Sequence, residues 1–364
     1  MDFLVRGEGE ETICELVEAL GDGRAFDAVA GIGFRGRGGE AVMTPPRAYI
    51  EDLDSLPFPA WDLIDRDAYF RGKRPILFSK SKRYMPVFSS RACPHRCVYC
   101  HKVFGKKFRG RSPGSVLAEM RALYHGYGIR EFEFYDDCFN ADRARADEIL
   151  KSFAESEMKD ASLQFPNGLR ADRLDDETIE LLRRARTFSL SLAVESASPR
   201  IQKLIRKNVR LDSLKTAASK LSRQGILVHG FFMFGFPTET LAEMEETLRF
   251  ALDLDIDTAS FFIVNAFKGT ELAELAARDG HGIDTSPEAF DFIRTRVNLS
   301  AASDEELSRM IRRAYFEFYF SRKRVRRVLR AISFCPRVLL EVPRLLLDRV
   351  FLISVGSSRG SSRG

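Results

Sequence analysis

Apolar and polar residues alternate along the middle of the chain in two rhythms that follow one another. Short apolar runs of strand character are separated by longer stretches in which apolar residues recur every three to four positions, as in amphipathic helices. The runs predict strands at residues 85–90, 131–136, 162–166, 188–195, 226–235 and 259–265. The stretches between them predict helices at residues 113–127, 142–158, 175–186, 211–224 and 238–254.

Strands that alternate with helices form βα units, and consecutive βα units build a mainly parallel sheet. Six such units fall short of the eight that close a full barrel. The fold class that we predict is therefore α/β, a partial (β/α)6 TIM-like barrel. An open doubly wound sheet would show the same alternation, so the periodicity alone does not separate the two architectures.

The segments on either side of the barrel pattern predict further parts of the molecule. Residues 1–40 read as one strand, one helix and a glycine-rich hairpin, and residues 41–83 contain the prolines and turn residues expected of a linker. We assign residues 84–284 to the barrel, 285–330 to a helical C-terminal extension and 331–364 to a basic and apolar tail.

The composition excludes several classes of protein. Of 364 residues, 45% are hydrophobic and 30% are charged, a globular mixture that rules out wholesale disorder. Lys and Arg exceed Asp and Glu by only 57 to 52, so we expect no nucleic acid as the main partner. The first residues lack a signal-peptide pattern, and we expect a cytoplasmic protein with reduced thiols.

The C-terminal segment allows two interpretations. Residues 322–330 read RKRVRRVLR, and the following apolar stretch is broken by Pro336, Pro343 and several charges. One interpretation is a terminal helix packed on the body of the protein. The other is a basic amphipathic segment in peripheral contact with a membrane surface. Together with the 30 phenylalanines, a membrane-apposed tail would suit an apolar, lipid-like substrate.

The most informative motif is a run of three cysteines directly after the first barrel strand. Cys93, Cys97 and Cys100 have the spacing C-x3-C-x2-C. Three thiolates on one loop can hold three corners of a 4Fe–4S cluster and leave the fourth iron open to a small molecule. The loop follows a strand at the edge where parallel α/β folds place their active sites. Cys14, Cys138 and Cys335 read as ordinary small residues.

A different class of function fits the same cysteines. A Cys3His zinc site could use His95 or His101, which would make the chain a metal-stabilised, non-catalytic binding or scaffold protein. No second ligand cluster follows at the spacing of a zinc finger. The identity of the metal separates the two interpretations, because an iron–sulfur cluster is coloured and zinc is not.

With Tyr99 before its last cysteine, the motif on a six-unit βα chain resembles the radical S-adenosylmethionine (SAM) superfamily over about residues 84–270. The resemblance implies a 4Fe–4S cluster that binds SAM and delivers the electron that cleaves it to methionine and a 5′-deoxyadenosyl radical, which abstracts a substrate hydrogen. It also implies a small-molecule substrate and a reductant protein such as a flavodoxin or ferredoxin.

The resemblance assigns SAM contacts to the ends of the other strands. Asp136 and Asp137 would lie near the SAM amino group, although an acidic pair at a helix N-terminus would look the same. Arg170 would pair with a carboxylate of SAM or of the substrate, or it would neutralise Asp172. Glu195 would accept hydrogen bonds from the ribose hydroxyls.

Two further motifs complete the resemblance. Arg206 or Lys207 would meet the methionine carboxylate, although a charged side chain on a helix is usually solvated. Gly235 and Pro237 belong to a Gly-x-Pro-x-Glu-Thr pattern after the fifth strand, where a glycine permits close backbone approach to the cofactor.

The outer segments resemble the subgroup of the superfamily that binds cobalamin. Residues 1–40 look like the last βα unit of its N-terminal Rossmann-like domain, and residues 297–320 look like its C-terminal region. A complete cobalamin domain needs on the order of a hundred residues, and the sequence contains no Asp-x-His-x-x-Gly pattern. We therefore expect a remnant that does not bind cobalamin by itself. With cobalamin the subgroup implies methylation or a radical rearrangement, and without it plain hydrogen abstraction.

Overall fold

The computed structural model of the protein describes residues 2–72, 78–281 and 297–334, with side chains up to residue 329. Its strands are β1 (Phe3–Val5), β2 (Ile32–Arg35), β3 (Ala41–Met43), β4 (Tyr84–Val87), β5 (Ser90–Arg91), β6 (Arg109–Gly110), β7 (Glu131–Phe134), β8 (Ser162–Leu169), β9 (Thr187–Glu195), β10 (Leu227–Phe234) and β11 (Thr258–Ile263). Its helices are α1 (Glu10–Asp22), α2 (Arg66–Arg71), α3 (Pro113–Tyr127), α4 (Arg143–Glu155), α5 (Asp176–Arg184), α6 (Pro199–Leu204), α7 (Leu211–Arg223), α8 (Leu241–Asp253), α9 (Glu271–Arg278), α10 (Asp304–Phe320) and α11 (Arg322–Phe334).

The main sheet contains the six predicted strands in the order β11-β10-β9-β8-β7-β4, and each neighbouring pair is parallel. Each connection between consecutive strands of this sheet contains at least one helix, so the predicted partial (β/α)6 barrel is confirmed. Local signals set the helix starts: Ser112 caps α3 through the Ser115 N–H with Pro113 at its first position, and Thr240 and Glu243 form a capping box on α8.

The phenylalanines fill the layer between the sheet and its helices. Every second residue of each strand points into this layer, where rings such as Phe134 and Phe165 stack with their centroids 5.2 Å apart. Phe232 packs on Phe261, and Phe261 meets Tyr315 of α10 edge to face. These buried rings are core residues, so their abundance gives no support to an apolar, lipid-like substrate.

The other face of the main sheet, which we call the inner face, carries polar side chains at the middle of the strands. Gln164, Ser189 and Ser191 lie on it, together with His229. The His229 ring bonds Thr258 Oγ1 at 2.8 Å through Nδ1 and Ser260 Oγ at 3.1 Å through Nε2. Burial lowers the pKa of His229 to about 4, so its imidazole is neutral near pH 7.

The N-terminal residues form a separate small unit. Strands β1, β2 and β3 make an antiparallel sheet, and α1 packs on it through Leu16 and Ala19. The predicted strand, helix and hairpin are therefore all present. A buried ion pair between Glu8 and Arg109 joins this unit to the β5–β6 arm, with N–O distances of 2.8 and 2.9 Å.

The C-terminal helix α10 covers the free edge of β11. The Tyr315 hydroxyl accepts from the Phe261 N–H and donates to the Phe261 carbonyl, both at 3.1 Å. Tyr319 makes the same pair of bonds with Ala259, at 3.0 and 2.8 Å. Within the predicted extension, residues 285–296 lie outside the described part of the chain, as does the tail beyond residue 334. No described helix is both long and apolar enough to cross a membrane.

Candidate active site

The three-cysteine loop lies at the carboxyl end of β4. After β4 the chain forms the short antiparallel arm β5–β6, and the loop with Cys93, Cys97 and Cys100 begins at Ala92, whose φ is 67°. All three thiols are partly exposed. The loop therefore stands at the edge of the sheet where the other parallel strands also end.

Backbone hydrogen bonds and one apolar anchor fix this loop. The Val98 N–H donates to the Ile205 carbonyl at 3.2 Å, and the Val98 carbonyl accepts from the Leu272 N–H at 2.9 Å. The Val98 side chain is buried with Ile205, Leu272 and Phe236 in an apolar cluster separate from the main core. The cysteines are thus carried by a loop that α6, α9 and the end of β10 hold from three sides.

The three thiols differ in their electrostatic surroundings. A hydrogen bond from Cys138 lowers the pKa of Cys93 to about 6, with further help from Lys106 and Lys207. Burial raises the pKa of Cys97, and it raises the pKa of Cys100 to about 11. The neighbouring Cys138 thiol, with help from nearby cations, thus already favours the thiolate form at Cys93, the form that binds metals.

The arrangement of the donor atoms bears on whether the cysteine loop would hold an iron–sulfur cluster or a single zinc ion. Tetrahedral Zn–S bonds of about 2.3 Å place the sulfurs of a zinc site about 3.8 Å apart. In the described part of the chain, the compact donor group is Cys93, His95 and Cys138, whose ligand atoms all lie within 4.8 Å of one another; Cys97 and Cys100 do not belong to it. Cys93, Cys97 and Cys100 do not together form such a compact group, and a cubane would offer each of these thiolates its own iron.

Tyr99, Glu195 and Lys207 meet beside the cysteine loop. The Tyr99 hydroxyl donates to Glu195 Oε1 at 3.1 Å, and the Lys207 ammonium donates to the same oxygen at 3.1 Å. Glu195 ends β9 with a φ of 66° and is 7% exposed. Burial acts to lower the pKa of Lys207, but the adjacent Glu195 carboxylate raises it above its ordinary value. The site therefore holds a buried ammonium ion that stays charged.

Arg206 and Arg170 are both engaged by other side chains. The Arg206 guanidinium pairs with Glu271 at 2.7 Å and is half exposed. Arg170 forms a two-pronged ion pair with Asp172, with both N–O distances 2.9 Å, and also donates to the Lys207 carbonyl. Between the two residues that the sequence offered for the methionine carboxylate, Lys207 lies within the site and Arg206 at its margin.

The acidic pair after β7 splits into two different environments. Asp136 is buried, and its carboxylate accepts hydrogen bonds from the Ser89 N–H and from the hydroxyls of Ser89 and Ser90. Burial raises the pKa of Asp136. Asp137 is more exposed, and its carboxylate lies 3.9 Å from the His101 ring. Asp136 thus ties the β7 loop to the β4 loop, and Asp137 faces the cysteine loop.

The turn after β10 is built around Glu239. Gly235 has a φ of 89°, which favours glycine, and a Cβ there would stand 3.3 Å from Ile263 and Leu307. One Glu239 oxygen accepts from the N–H groups of Gly235 and Phe236 at 2.7 and 3.0 Å. Pro237 is buried in the same turn. The Gly-x-Pro-x-Glu pattern is thus a loop closed by its own glutamate.

Two residues of the site escaped the sequence prediction or were given too little weight. Lys207 stood as an alternative to Arg206, and Cys138 was read as an ordinary small residue. The position of Cys138 after a strand end pointed toward the same edge, but only the packing of the β7 loop against the cysteine loop brings its sulfur to Cys93.

The fold and the site define a class: a parallel α/β partial barrel with a three-thiol loop at the carboxyl edge of its sheet. The family model of the Radical SAM superfamily matches residues 87–251, and the chain belongs to that superfamily. Its members use a 4Fe–4S cluster and SAM.

The curated relatives include an uncharacterized methyltransferase of Pyrococcus horikoshii, 32% identical over 89% of this chain and 68% of its own length. The cytidylyl-2-hydroxyethylphosphonate methyltransferase of Streptomyces wedmorensis is 29% identical over 77% of this chain and 58% of its own length. Among solved structures, the radical SAM methyltransferase TsrM of Kitasatospora setae has a TM-score of 0.64 at 19% identity, over 79% of this chain and 55% of that one. The chain thus spans between about half and two thirds of these proteins.

Proposed function

We propose that this chain is a radical SAM enzyme in which Cys93, Cys97 and Cys100 hold a 4Fe–4S cluster. The observation that carries the proposal is the three-thiol loop, held by backbone bonds at the carboxyl edge of the sheet next to the buried Tyr99–Glu195–Lys207 group. When bound, the cluster supplies the electron for reductive cleavage of SAM to methionine and a 5′-deoxyadenosyl radical.

The side chains around the loop supply the binding functions that SAM requires. The Lys207 ammonium is the buried cation best suited to the methionine carboxylate, and Arg170 adds positive charge behind it. Asp137 suits the SAM ammonium better than Asp136, whose oxygens are already bonded. Glu195, oriented by Tyr99, is assigned to the ribose hydroxyls, and the Gly235–Pro237 turn to the adenine.

We assign the catalytic core to residues 84–284, with residues 1–40 and 41–83 as an N-terminal unit and linker and 285–330 as a helical extension. The separate antiparallel sheet of residues 3–43 and the helix that caps β11 support these divisions. The chain has no Asp-x-His-x-x-Gly pattern, and we propose that it does not hold cobalamin by itself.

The substrate that we propose is a small molecule with hydrogen-bonding groups. The polar inner face, with His229, Ser189 and Ser191, favours such a molecule over a lipid. Methyl transfer is the reaction class that the names of the relatives favour. A low-potential electron carrier such as a flavodoxin or ferredoxin is the proposed reductant, in the cytoplasm.

We also propose peripheral membrane contact through the C-terminal helices. Phe316 and Phe320 stack on each other and are 58% and 61% exposed, and Leu329 on the basic helix α11 is 60% exposed. Exposed apolar side chains next to arginines suit an anionic lipid surface. We expect sedimentation with phosphatidylserine vesicles that falls with salt and is lost in Phe316→Ser/Phe320→Ser. Binding only to neutral vesicles, or none, would count against it.

The test of the enzyme assignment is SAM cleavage. The protein is reconstituted anaerobically with iron and sulfide, reduced and given SAM, and 5′-deoxyadenosine is quantified. We expect product from the wild type and from Cys14→Ala, an exposed cysteine of α1, and only background from Cys97→Ala. A colourless protein that holds zinc would overturn the assignment. The same reaction with SAM labelled in its methyl group, with and without added cobalamin, tests methyl transfer.

A further inference from the structure

Cys138 lies in the loop after β7, on the side of the cysteine motif that carries Cys93. It is 3% exposed. Its sulfur, the Cys93 sulfur and a ring nitrogen of His95 all lie within 4.8 Å of one another, so the Cys138 thiol is a direct neighbour of the Cys93 sulfur. The proposed binding of the cluster and SAM gives this thiol no role.

The single proton of the Cys138 thiol has two acceptors within reach. One is Asn140 Oδ1, at 4.0 Å, and the other is the Cys93 sulfur, which lies within 4.8 Å. Asn140 Oδ1 already accepts from the Arg170 N–H at 3.1 Å, whereas a metal-bound Cys93 would be a full thiolate. Hydrogen bonds to a charged acceptor are the stronger ones, so cluster binding directs the proton toward Cys93.

The position of the donor is fixed by bonds on both sides of it. Asp136 ties the start of its loop to Ser89 and Ser90, just before the cysteine motif. Asn140 ties the end of the loop to the backbone of Arg170, since its amide also donates to the Arg170 carbonyl at 3.0 Å. The thiol is therefore held in place before any cluster arrives, as an effective positioning group should be.

We propose that Cys138 is a positioning residue for the cluster, whose S–H group donates a hydrogen bond to the Cys93 thiolate and stabilises the reduced cluster. The inference rests on the proposed function, because it takes Cys93 as a cluster ligand. Hydrogen bonds to ligand sulfurs are one of the means by which proteins set cluster potentials. A donor stabilises the more negative, reduced state and so raises the potential.

The experiment compares wild type, Cys138→Ala, Cys138→Ser and the exposed control Cys14→Ser after anaerobic reconstitution. Iron and sulfide per chain and circular dichroism are measured first. The midpoint potential then follows from redox titration of the reduced cluster by electron paramagnetic resonance. At a fixed potential we expect Cys138→Ala to hold up to tenfold less reduced cluster, equivalent to a midpoint about 59 mV more negative.

The serine variant keeps a donor, so its potential should lie between those of wild type and alanine, and Cys14→Ser should match wild type. Equal potentials in wild type and Cys138→Ala at full cluster content would overturn the inference. It would also be overturned if both Cys138 variants folded but held no cluster, since Cys138 would then be a ligand. Wild type that took up one zinc ion and no cluster would instead remove the proposed function itself.

Discussion

At the scale of single residues, Lys207 is the cation that we propose for the methionine carboxylate of SAM. It is buried against Glu195 at 3.1 Å, whereas Arg206 is half exposed and held by Glu271. We expect Lys207→Met to weaken SAM binding by about tenfold or more, because a buried charge-assisted bond contributes roughly 1.5–3 kcal/mol. Arg206→Met should change the dissociation constant by much less. Equilibrium binding of labelled SAM to the cluster-loaded protein measures both.

The loss of Lys207 also leaves Glu195 without its cation, which could weaken the fold rather than the binding. The double variant Glu195→Gln/Lys207→Met controls for this, because it removes the buried charge along with its partner. Thermal unfolding without SAM should be restored in the double variant, and SAM affinity should stay low. Restored affinity in the double variant, or equal losses in the Arg206 and Lys207 variants, would contradict the assignment.

Glu239 is a second residue whose environment can be measured, through the pH dependence of the unfolding free energy. Burial raises its pKa to about 8, although the N–H groups of Phe236 and Gly235 act to lower it. A carboxyl whose pKa is higher in the folded than in the unfolded chain stabilises the fold fully below about pH 4.5, and this contribution is lost as the pH rises through about 8. Relative to Glu239→Gln, wild type should lose stability between pH 5 and 8 by up to about 1.4 kcal/mol per pH unit.

Denaturant unfolding of the cluster-free wild type and Glu239→Gln at each pH measures this difference. Glu243→Gln is the control, since the pKa of the Glu243 carboxyl is lowered to about 2, chiefly by the hydrogen bond from Arg200. Its difference from wild type should stay constant between pH 5 and 8. A free-energy difference for Glu239→Gln that did not change over this range would show that the carboxyl is ionised in the fold.

At the scale of elements, the order of strands and helices followed from the sequence. Each strand contains an apolar run, and in each helix apolar residues recur every three to four positions. Ser112 and Pro113 fixed the start of α3 in the same local way. Local patterns could not predict which face of the sheet a side chain occupies. Phe232 and Phe234 face the helices, and His229 lies on the polar inner face. That choice depends on how the sheet curves and on which face the helices cover.

The covering of β11 by α10 gives a prediction for an element. Tyr315 and Tyr319 occupy the outward backbone groups of Phe261 and Ala259. In Tyr315→Phe the Phe261 N–H loses its partner, which we expect to cost about 1–3 kcal/mol in unfolding free energy. Tyr315→Phe/Tyr319→Phe should in addition expose a strand edge and aggregate during mild heating. Denaturant titration and light scattering are the measurements.

Tyr124→Phe is the matched control for these variants, because the Tyr124 hydroxyl bonds the exposed carboxylate of Asp160 and no strand backbone group in the described residues. It should leave unfolding and scattering unchanged. If the double variant resisted heating as well as Tyr124→Phe, α10 would hold the sheet through apolar packing alone, and the two hydroxyls would be incidental to edge protection.

At the scale of the whole molecule, the site depends on contacts that lie far apart in the chain. The cysteine motif and its location after a strand were readable from spacing, but the partners of each residue were not. Glu195 and Lys207 are twelve residues apart, and only the left-handed turns at Glu195 and Arg206 bring the two side chains together. Likewise, Glu8 reaches Arg109 across a hundred residues, a pairing that no local pattern encodes.

The Glu8–Arg109 pair leads to the prediction for the whole molecule. Glu8 also pairs with Arg91, two residues before Cys93, so the N-terminal unit is fastened to the base of the cysteine loop. Glu8→Gln leaves Arg109 without its buried counter-charge and Arg91 with Glu10 alone, which should lower the unfolding free energy by roughly 3 kcal/mol. Because the loop is then held less firmly, we also expect fewer irons per chain after reconstitution and earlier tryptic cleavage near residue 91.

The control is Glu51→Gln, which breaks the exposed pair with Lys107 and should cost less than about 1 kcal/mol. Iron content, denaturant unfolding and timed proteolysis are measured on both variants side by side. If Glu8→Gln lost stability but kept full iron and the wild-type cleavage pattern, the N-terminal unit would stabilise the fold without supporting the cluster loop. If the two variants behaved alike, the buried pair would couple the units no more strongly than a surface ion pair does.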